Sequence, residues 1–315
     1  MHKEFLMGNA AIALGAVAAG VNVVAGYPGT PSTEVLETIA KHRPDDVYVE
    51  WSVNEKAAME LAAGASYAGA RSMVTMKQVG LNVASDPLMS LEYVGIKGGM
   101  VILVADDPGP ISSQTEQDTR HFSRFSKLPC FDPSSAQEAY EMIQEAFEYS
   151  EKYGTPVFLR PTTRVCHGYA SIMVKDETEY THHQPEGFIK DSKRWVIFPR
   201  LSFMNHKKIE ARNQELSDIF SSYEKNTIHP SCDAFKDSKK GIATGGISYT
   251  YTMETLKKTG MVKTLKIATP HPFPEKLAVD FLSELDEVLC LEELDPVIER
   301  ELIYICGKYH LPTRI

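Results

Sequence analysis

The sequence predicts an α/β protein with a doubly wound parallel sheet, followed by a smaller α/β domain. Short apolar runs alternate with helical segments in the first part of the chain, a polar stretch interrupts them, and the alternation then resumes. Strands that alternate with helices form parallel sheets that are covered on both faces. We therefore divide the chain into a first domain over 1–175, a polar connector over 176–240 and a second domain over 241–315.

The first domain begins with a helix rich in Ala and Gly over 8–19 and a short strand over 21–25. A turn at 26–29 follows, and the next helix opens with Thr30 as its cap and Pro31 as its first helical residue. The predicted order then continues with strand 47–51, helix 54–68, strand 72–76, helix 80–93, strand 99–105, a polar loop over 106–120, helix 135–151 and strand 156–160.

The connector is dominated by His, Lys, Glu and Ser, and it contains one predicted helix over 207–223. The second domain follows with a strand and glycine turn over 241–246, helix 249–259, strand 265–267, helix 275–282, strand 287–293 and helix 298–309. About 75 residues is small for a doubly wound domain. We therefore expect this domain to be truncated.

Composition narrows the class of protein. A length of 315 residues is enough for two domains, and a net charge of −9 argues against a nucleic-acid binder. Five scattered cysteines without CxxC spacing, and histidines without metal-ligand spacing, predict no iron–sulfur, zinc or disulfide framework and no metal site. The amino terminus is not a signal peptide, and no apolar run is long enough for a membrane span. These features predict a cytoplasmic protein.

The most informative residue is Glu55, which lies where strand 47–51 gives way to a helix of small residues. In α/β sheets ligands bind at this edge. Ser52 and Glu55 match the capping-box pattern, which would make Glu55 a plain helix-capping residue. Alternatively, Glu55 is a buried carboxylate that hydrogen-bonds a ring nitrogen of a cofactor, in a helix whose alanines let another group approach closely.

Three further segments follow predicted strands at the same edge. The turn at 26–31 is either a plain strand-to-helix turn or a place where free helix-start amides and the Thr30 hydroxyl receive a substrate carboxylate. Lys77 is either a solvated surface residue or a ligand contact. The loop over 112–120 is either solvated or supplies Arg120 to a carboxylate.

The second domain offers weaker signals. The pair Gly245 and Gly246 is too little for a dinucleotide fingerprint. The acids within 291–296 end a strand, and we interpret them as a solvated or interdomain edge rather than a metal site.

These residues together resemble the thiamine-diphosphate-dependent 2-oxoacid ferredoxin oxidoreductases, and within them the amino-terminal half of the alpha subunit of the indolepyruvate enzymes. The matching segments run along nearly the whole chain, and only the connector matches loosely. They are MGNAAIA at 7–13, GYPGTP at 26–31, NEKAA at 54–58, TMKQVGLN at 75–82, VADDPG at 104–109, SSQ at 112–114 and LEELDP at 291–296. The first domain resembles the pyrimidine-binding domain of thiamine enzymes, and the second resembles the transketolase carboxy-terminal domain.

The resemblance implies that Glu55 is the catalytic acid that bonds N1′ of the aminopyrimidine and so promotes removal of the C2 proton of the thiazolium. The resulting carbanion attacks a 2-oxoacid, CO₂ leaves, electrons pass to iron–sulfur clusters, and coenzyme A takes the acyl group. Thr30 and Arg120 are the implied substrate contacts. The implied cofactor contacts are Pro28, Gly29, Thr30, Lys77, Gln78, Gly80 and Asn82.

The chain also departs from the family, because it has no Gly-Asp-Gly motif and no cysteine cluster. We therefore expect it to supply a thiamine diphosphate half-site, with Mg²⁺ and iron–sulfur clusters held by missing or partner segments. Either the chain is a truncated product, or its other half is a separate polypeptide; in both cases the isolated chain is expected to be inactive. The expected partners are a diphosphate-binding domain or subunit, a beta subunit and ferredoxin as acceptor, in a dimer or larger complex.

Two alternatives stay open on the sequence alone. The chain could serve a non-oxidative thiamine diphosphate decarboxylase or transferase. It could also be a non-catalytic assembly module of the same fold. The family alone suggests an aryl pyruvate, such as indolepyruvate, as the 2-oxoacid.

Overall fold

The strands of the protein form three sheets, as seen in a computed structural model that describes all residues from 1 to 315. The largest sheet is parallel throughout, with the order β3-β2-β4-β5-β7-β6. The strands are β1 (His2–Met7), β2 (Val23–Gly26), β3 (Tyr48–Trp51), β4 (Ser72–Lys77), β5 (Met100–Ala105), β6 (Cys130–Phe131), β7 (Val157–Leu159), β8 (Tyr169–Val174), β9 (Thr227–His229), β10 (Lys240–Gly245), β11 (Lys263–Ile267) and β12 (Glu287–Leu291).

Helices separate most of these strands, as the predicted alternation requires. None of them combines the length and the apolar character that crossing a membrane demands. The helices are α1 (Gly8–Ala18), α2 (Thr33–His42), α3 (Glu55–Tyr67), α4 (Gln78–Val94), α5 (Thr119–Ser126), α6 (Ala136–Tyr153), α7 (Thr163–His167), α8 (Ser192–Trp195), α9 (Pro199–Phe220), α10 (Gly246–Thr259), α11 (Glu275–Leu282) and α12 (Val297–Tyr309).

The six-stranded sheet separates two apolar cores. Residues from α1, α2 and α6 pack with Val24 and Val101 on one face. Residues from α3 and α4 pack with Ala25 and Ile102 on the other. Successive side chains of a strand point to opposite faces, so the continuous apolar runs in these strands fill both cores. The predicted doubly wound parallel sheet is therefore confirmed.

The second domain has its own core and a four-stranded sheet with the order β12-β10-β11-β9. Three of its strands are parallel, and β9 pairs antiparallel with β11 at the edge. The predicted smaller α/β domain is present, but its sheet recruits β9 from the segment predicted as connector. A three-residue strand carries too little periodicity to be predicted.

The connector is also less separate than the sequence suggests. Its helix α9 starts eight residues before the predicted start at Lys207. Leu216 and Phe220 of this helix are fully buried in the core of the first domain. The prediction of a connector without core residues is thus wrong, because one apolar face on a long polar helix is enough to join a neighbouring core.

Five elements of the first domain were not predicted, among them the two-residue β6 and the five-residue α7. They are β1, α5, β6, α7 and β8. The pairing of β1 with β8 joins 2–7 to 169–174 across the whole domain. Such long-range pairing decides strand formation more than local preference does.

Candidate cofactor site

The site lies where the winding of the main sheet reverses. The chain runs from β2 outward to β3 and then returns, through α3, to β4 on the other side of β2. Ligands bind at such a switch point, outside the carboxyl ends of the strands. The turns after β2 and β4 are in direct contact there, since a Cβ added to Gly29 would lie 3.0 Å from Lys77 Cγ.

Glu55 is the first residue of α3, directly after the turn that follows β3. The helix is capped by Asn54, whose Oδ1 accepts a hydrogen bond from the Ala57 amide at 2.9 Å. Ser52 instead donates its hydroxyl to Glu50 Oε1, at 2.9 Å. The capping-box interpretation is therefore wrong, because Asn54 occupies the cap position and leaves the Glu55 carboxylate free of it.

The Glu55 side chain rests against Gly80 in the first turn of α4. A Cβ on Gly80 would lie 2.6 Å from Glu55 Cγ and would overlap the carboxylate itself. Glu55 is only 8% exposed, and its carboxylate has no hydrogen-bond or ion-pair partner in the chain. A nearly buried carboxylate normally has such partners. Its oxygens are thus available to a donor that a ligand brings.

The polar groups of the turn after β2 form hydrogen bonds with one another, which the sequence does not reveal. Helix α2 begins at Thr33 rather than at Thr30 and Pro31. The Gly29 amide donates to Thr33 Oγ1 at 2.9 Å, and the Ser32 hydroxyl donates to the Gly29 carbonyl at 3.0 Å. The Gly29 amide is therefore not free to receive a substrate carboxylate, because nearby hydroxyls complete the turn. Thr30 itself is exposed at the edge of the sheet.

The side chains at the start of α4 hold the loop that follows β5. Lys77 Nζ donates to Gln114 Oε1 at 3.1 Å, and Asn82 Nδ2 donates to Gln117 Oε1 at 3.1 Å. Gln78 is 2% exposed, and its Nε2 donates to the Thr115 carbonyl at 3.0 Å. Gln78 is thus enclosed by the loop, which argues against its predicted contact with a ligand. Lys77 remains half-buried beside Gly29.

Arg120 has a different place from the one predicted. Its guanidinium is 2% exposed and donates to both carboxylate oxygens of Asp118, with Nε at 3.0 and 3.1 Å. It also donates to Glu292 Oε2 at 2.7 Å and to the carbonyls of Glu293 and Asp295. The prediction that Arg120 binds a substrate carboxylate is wrong, because the second domain already occupies this side chain.

A second buried arginine, which sequence reasoning missed, completes this contact. Arg160 follows β7 and donates Nε to Asp106 Oδ2 at 2.6 Å and Nη1 to Asp132 Oδ1 at 3.3 Å. Asp106 follows β5 and Asp132 follows β6, and both of these strands pair with β7. Charged residues directly after neighbouring strands are the sequence signal from which this contact could have been predicted. We call the set Asp106, Asp118, Arg120, Asp132, Arg160 and Glu292 the seam cluster.

The seam cluster fixes the ionisation of Asp118. Burial alone would raise the pKa of this carboxyl group, but the charges of Arg160 and Arg120 outweigh burial and lower the pKa to about 2. Asp118, His121 and Asp295 come close enough together to resemble a metal site. Since Arg120 already occupies both oxygens of Asp118, we assign no metal to this group.

Glu292 joins the seam cluster to the last helix. Its carboxylate accepts hydrogen bonds from the amides of Val297 and Ile298 at 3.1 and 3.0 Å, and from Glu299 at 3.1 Å. It therefore caps α12 while it receives Arg120. The prediction of an interdomain edge over 291–296 is confirmed.

Two solved structures share the architecture of this chain. The architecture matches a 2-oxoglutarate:ferredoxin oxidoreductase from Magnetococcus marinus with a TM-score of 0.78, at 17% identity over 99% of this chain and 62% of that one. It also matches a split-gene transketolase, described as an inactive beta4 tetramer, with a TM-score of 0.62, at 14% identity over 98% of this chain and 86% of that one. The chain thus shares its fold with both of these proteins.

The family follows from the sequence match. Residues 14–230 match the family model described as pyruvate flavodoxin/ferredoxin oxidoreductase, thiamine diphosphate-binding. The chain belongs to this family, and the resemblance inferred from the sequence motifs is confirmed.

Relatives within the family cover the second domain as well. Indolepyruvate oxidoreductase subunit IorA of Methanothermobacter thermautotrophicus is 43% identical over 314 residues, and that of Pyrococcus abyssi is 42% identical over 307. These matches cover 98% and 96% of this chain, but only 50% and 47% of the relatives. A 2-oxoglutarate synthase subunit KorA of Methanocaldococcus jannaschii is 30% identical over 189 residues, which are 57% of this chain and 51% of that subunit. The chain therefore spans about half the length of these relatives.

Proposed function

We propose that this chain supplies the pyrimidine side of a thiamine diphosphate site in a 2-oxoacid:ferredoxin oxidoreductase. The observation that carries the proposal is the nearly buried Glu55 carboxylate, which has no partner in the chain and lies against Gly80 at the switch point of the sheet. The family match supports the choice of cofactor.

The residues at the edge fit an aminopyrimidine ring. Such a ring needs a carboxylate that accepts a hydrogen bond and a flat opening beside it. Glu55 provides the carboxylate, the missing side chain of Gly80 leaves room for Glu55 itself, and that of Gly29 leaves room for the Lys77 side chain. In this arrangement Pro28 and Thr30 border the opening from the exposed side, and Lys77 borders it from the α4 side.

Glu55 would share a proton with N1′ of the pyrimidine. Bound thiamine diphosphate supplies a carbon acid that adds to the keto group of a 2-oxoacid. The low exposure of the Glu55 side chain limits the access of water to it, which strengthens a hydrogen bond at this position. Thr30 is the remaining candidate for the substrate carboxylate, because Arg120 is engaged by the second domain.

The rest of the site must come from protein outside this sequence, because the chain lacks a Gly-Asp-Gly segment and a cysteine cluster. Apolar residues around the opening support a covering partner: Val53 is 84% exposed next to Glu55, and Ile111 is 69% exposed in the loop after β5. Exposed apolar groups at the rim of a site are typical of interfaces. We infer that a diphosphate-binding segment with Mg²⁺ packs here, and that iron–sulfur clusters lie beyond it.

The substrate that we propose is an aryl pyruvate such as indolepyruvate, with coenzyme A as acyl acceptor and ferredoxin as electron acceptor. The support is the name of the relatives that are 42–43% identical over nearly the whole chain.

The test is the reduction of a viologen dye by the purified complex that contains this chain, with indolepyruvate and coenzyme A. Glu55→Gln keeps the shape of the side chain but cannot accept the proton. We expect it to lower the rate about 100-fold or more, within the usual range for a general acid–base group. Glu60→Gln is the matched control, because Glu60 is an exposed glutamate on the same helix.

Three results would contradict the proposal. If Glu55→Gln retains the wild-type rate while its thermal unfolding is unchanged, Glu55 is not the cofactor acid. If the wild-type complex consumes 2-oxoacid and releases CO₂ but never reduces the dye, the chemistry is a non-oxidative decarboxylation. If the complex is folded and loaded with thiamine diphosphate but turns over no 2-oxoacid, the chain is an assembly module.

A further inference from the structure

A cavity of about 730 Å³ opens at the amino edge of the main sheet, opposite the candidate cofactor site. Its floor is formed by the segments that lead into β5 and β7, at Gly95 and Gly154. Its walls come from α8 and α9 of the connector. A volume of this size is typical of sites for small molecules.

Basic side chains from three helices converge on this cavity. Lys152 ends α6, Lys193 and Arg194 lie in α8, and Lys208 lies in α9. None of these four cations has a carboxylate within ion-pair distance, although Arg194 Nη2 donates to the Ile96 carbonyl at 2.6 Å and the guanidinium lies over the Trp195 ring. The carboxyl ends of α4 and α6 also point toward this edge and favour nearby cations, but two helix ends do not account for four unpaired charges.

The acids that line the cavity do little to neutralise these cations. Glu92 is buried and pairs with Arg212 at 2.9 Å, and Asp191 accepts a hydrogen bond from the Lys193 amide as the cap of α8. Glu215 is the third carboxylate, against five basic residues in the lining. The cavity is therefore positive on a chain whose net charge is −9. Local fields of this kind select anions.

An aromatic ring with an unused polar atom completes the lining. Tyr153 faces Tyr149 in a stacked arrangement, with ring centroids 6.0 Å apart, and Lys152 Nζ lies over the Tyr153 ring, 5.2 Å from its centroid. The Tyr153 hydroxyl is shielded from solvent and has no hydrogen-bond partner. A buried hydroxyl without a partner is unusual. It could be satisfied by a ligand that enters the cavity.

We propose that this cavity binds a nucleoside diphosphate or triphosphate. The phosphates would lie among Lys152, Lys193, Arg194 and Lys208, and the planar base would lie against Tyr153 and take its hydroxyl. Multiple negative charges match the four unpaired cations, and a ring system matches the aromatic wall. This site is separate from the candidate cofactor site and does not depend on the proposed function.

The test is isothermal titration of the full chain with ADP and, separately, with inorganic pyrophosphate. We expect a Kd for ADP of about 100 µM or lower, with pyrophosphate weaker because it lacks the base. The double variant Lys152→Glu and Lys208→Glu should weaken ADP about tenfold or more. Its matched control is Lys3→Glu with Lys257→Glu, which makes the same change in net charge on exposed lysines without ion pairs elsewhere.

Each of these titrations has a result that would contradict the proposal. Absence of ADP binding up to about 1 mM rejects the site. An equal loss of affinity in the control variant shows a general charge effect instead of a site. Pyrophosphate binding as tightly as ADP rejects the nucleotide assignment, as does a Tyr153→Phe variant with unchanged ADP affinity. Displacement of ADP by an equal concentration of thiamine diphosphate in wild type, but not in Glu55→Gln, would place the binding at the candidate cofactor site.

Discussion

The candidate cofactor site and the seam cluster occupy the same edge of one sheet, yet their charged groups differ in how many partners they have in the chain. Arg120 and Arg160 are each 1–2% exposed and contact several acids or carbonyls. Glu55 is 8% exposed and has no partner, and Lys77 has one neutral partner. Each charged side chain of the seam cluster has at least one oppositely charged partner in the chain, whereas Glu55 has none.

This difference predicts which residues contribute to the stability of the fold and which contribute to chemistry. A buried charge with all of its partners stabilises the arrangement that encloses it, and removal of one partner is costly. A nearly buried carboxylate without a partner adds no such stability, but it keeps its capacity to bind and move a proton. We therefore expect substitutions in the seam cluster to change unfolding, and substitutions at the site to change activity with little effect on unfolding.

The largest effect on stability should come from Arg120→Ala. This change leaves the buried Glu292 carboxylate without its cation and leaves Asp118 with only Arg160, at 3.8 Å, which costs about 3–5 kcal/mol. Urea unfolding of the chain measures the loss. Arg200→Ala is the control, because Arg200 is exposed and has no ion pair. Equal midpoints for the two variants would show that the seam contributes nothing specific.

Gly80→Ala should lower the activity of the complex and leave the stability of the chain nearly unchanged. The added Cβ overlaps the end of the Glu55 side chain, which can swing away, so the fold is kept while the carboxylate moves. A displacement of about 1 Å can lower a rate about 100-fold. The assay is viologen reduction by the complex, measured beside thermal unfolding of the chain.

Gly64→Ala is the matched control for this change, because Gly64 lies in α3 and a Cβ there has nothing within 4 Å. Alanine should stabilise that helix by up to about 1 kcal/mol and leave the rate unchanged. Equal rates for Gly80→Ala and wild type would mean that the position of Glu55 against Gly80 is unimportant.

The smallest expected effect is the loss of the stabilising contribution of Asp118 at low pH. The pKa of Asp118 is lowered to about 2 in the folded protein, from an ordinary value of 3.8. Its stabilising contribution is therefore complete above pH 3.8 and declines as the pH falls from 3.8 toward 2. The stability difference between wild type and Asp118→Asn should shrink by about 1 kcal/mol between pH 5 and pH 3. Urea unfolding at both pH values measures it, and a constant difference would contradict the lowered pKa.

The sequence predicts the sheet well, because the alternation of strands and helices is a matter of local order, and it predicts that the candidate site residues follow strand ends. Apolar runs alternating with helices require a parallel sheet, and Glu55 and Gly80 follow β3 and β4, the two strands that flank β2. The position of the helix start was harder to predict. Ser52 and Asn54 are both good caps, and only the backbone of the turn selects Asn54.

The seam cluster could not be predicted from the sequence, because its partners are distant. Arg120 and Glu292 are 172 residues apart, and Arg160 and Asp106 are 54 apart. A polar loop with an arginine looks the same whether that arginine meets a substrate or a second domain. The same limit explains why Leu216 and Phe220, in a polar connector, were not recognised as core residues.

The central claim is that Glu55 exchanges a proton with the pyrimidine of bound thiamine diphosphate. The most direct measurement is the rate at which the C2 hydrogen of the bound cofactor is replaced by deuterium, followed by proton NMR after acid quench of the complex. We predict an exchange rate about 100-fold or more slower in Glu55→Gln than in wild type, with Glu60→Gln unchanged. Equal exchange rates in all three proteins, with equal cofactor loading, would contradict the account.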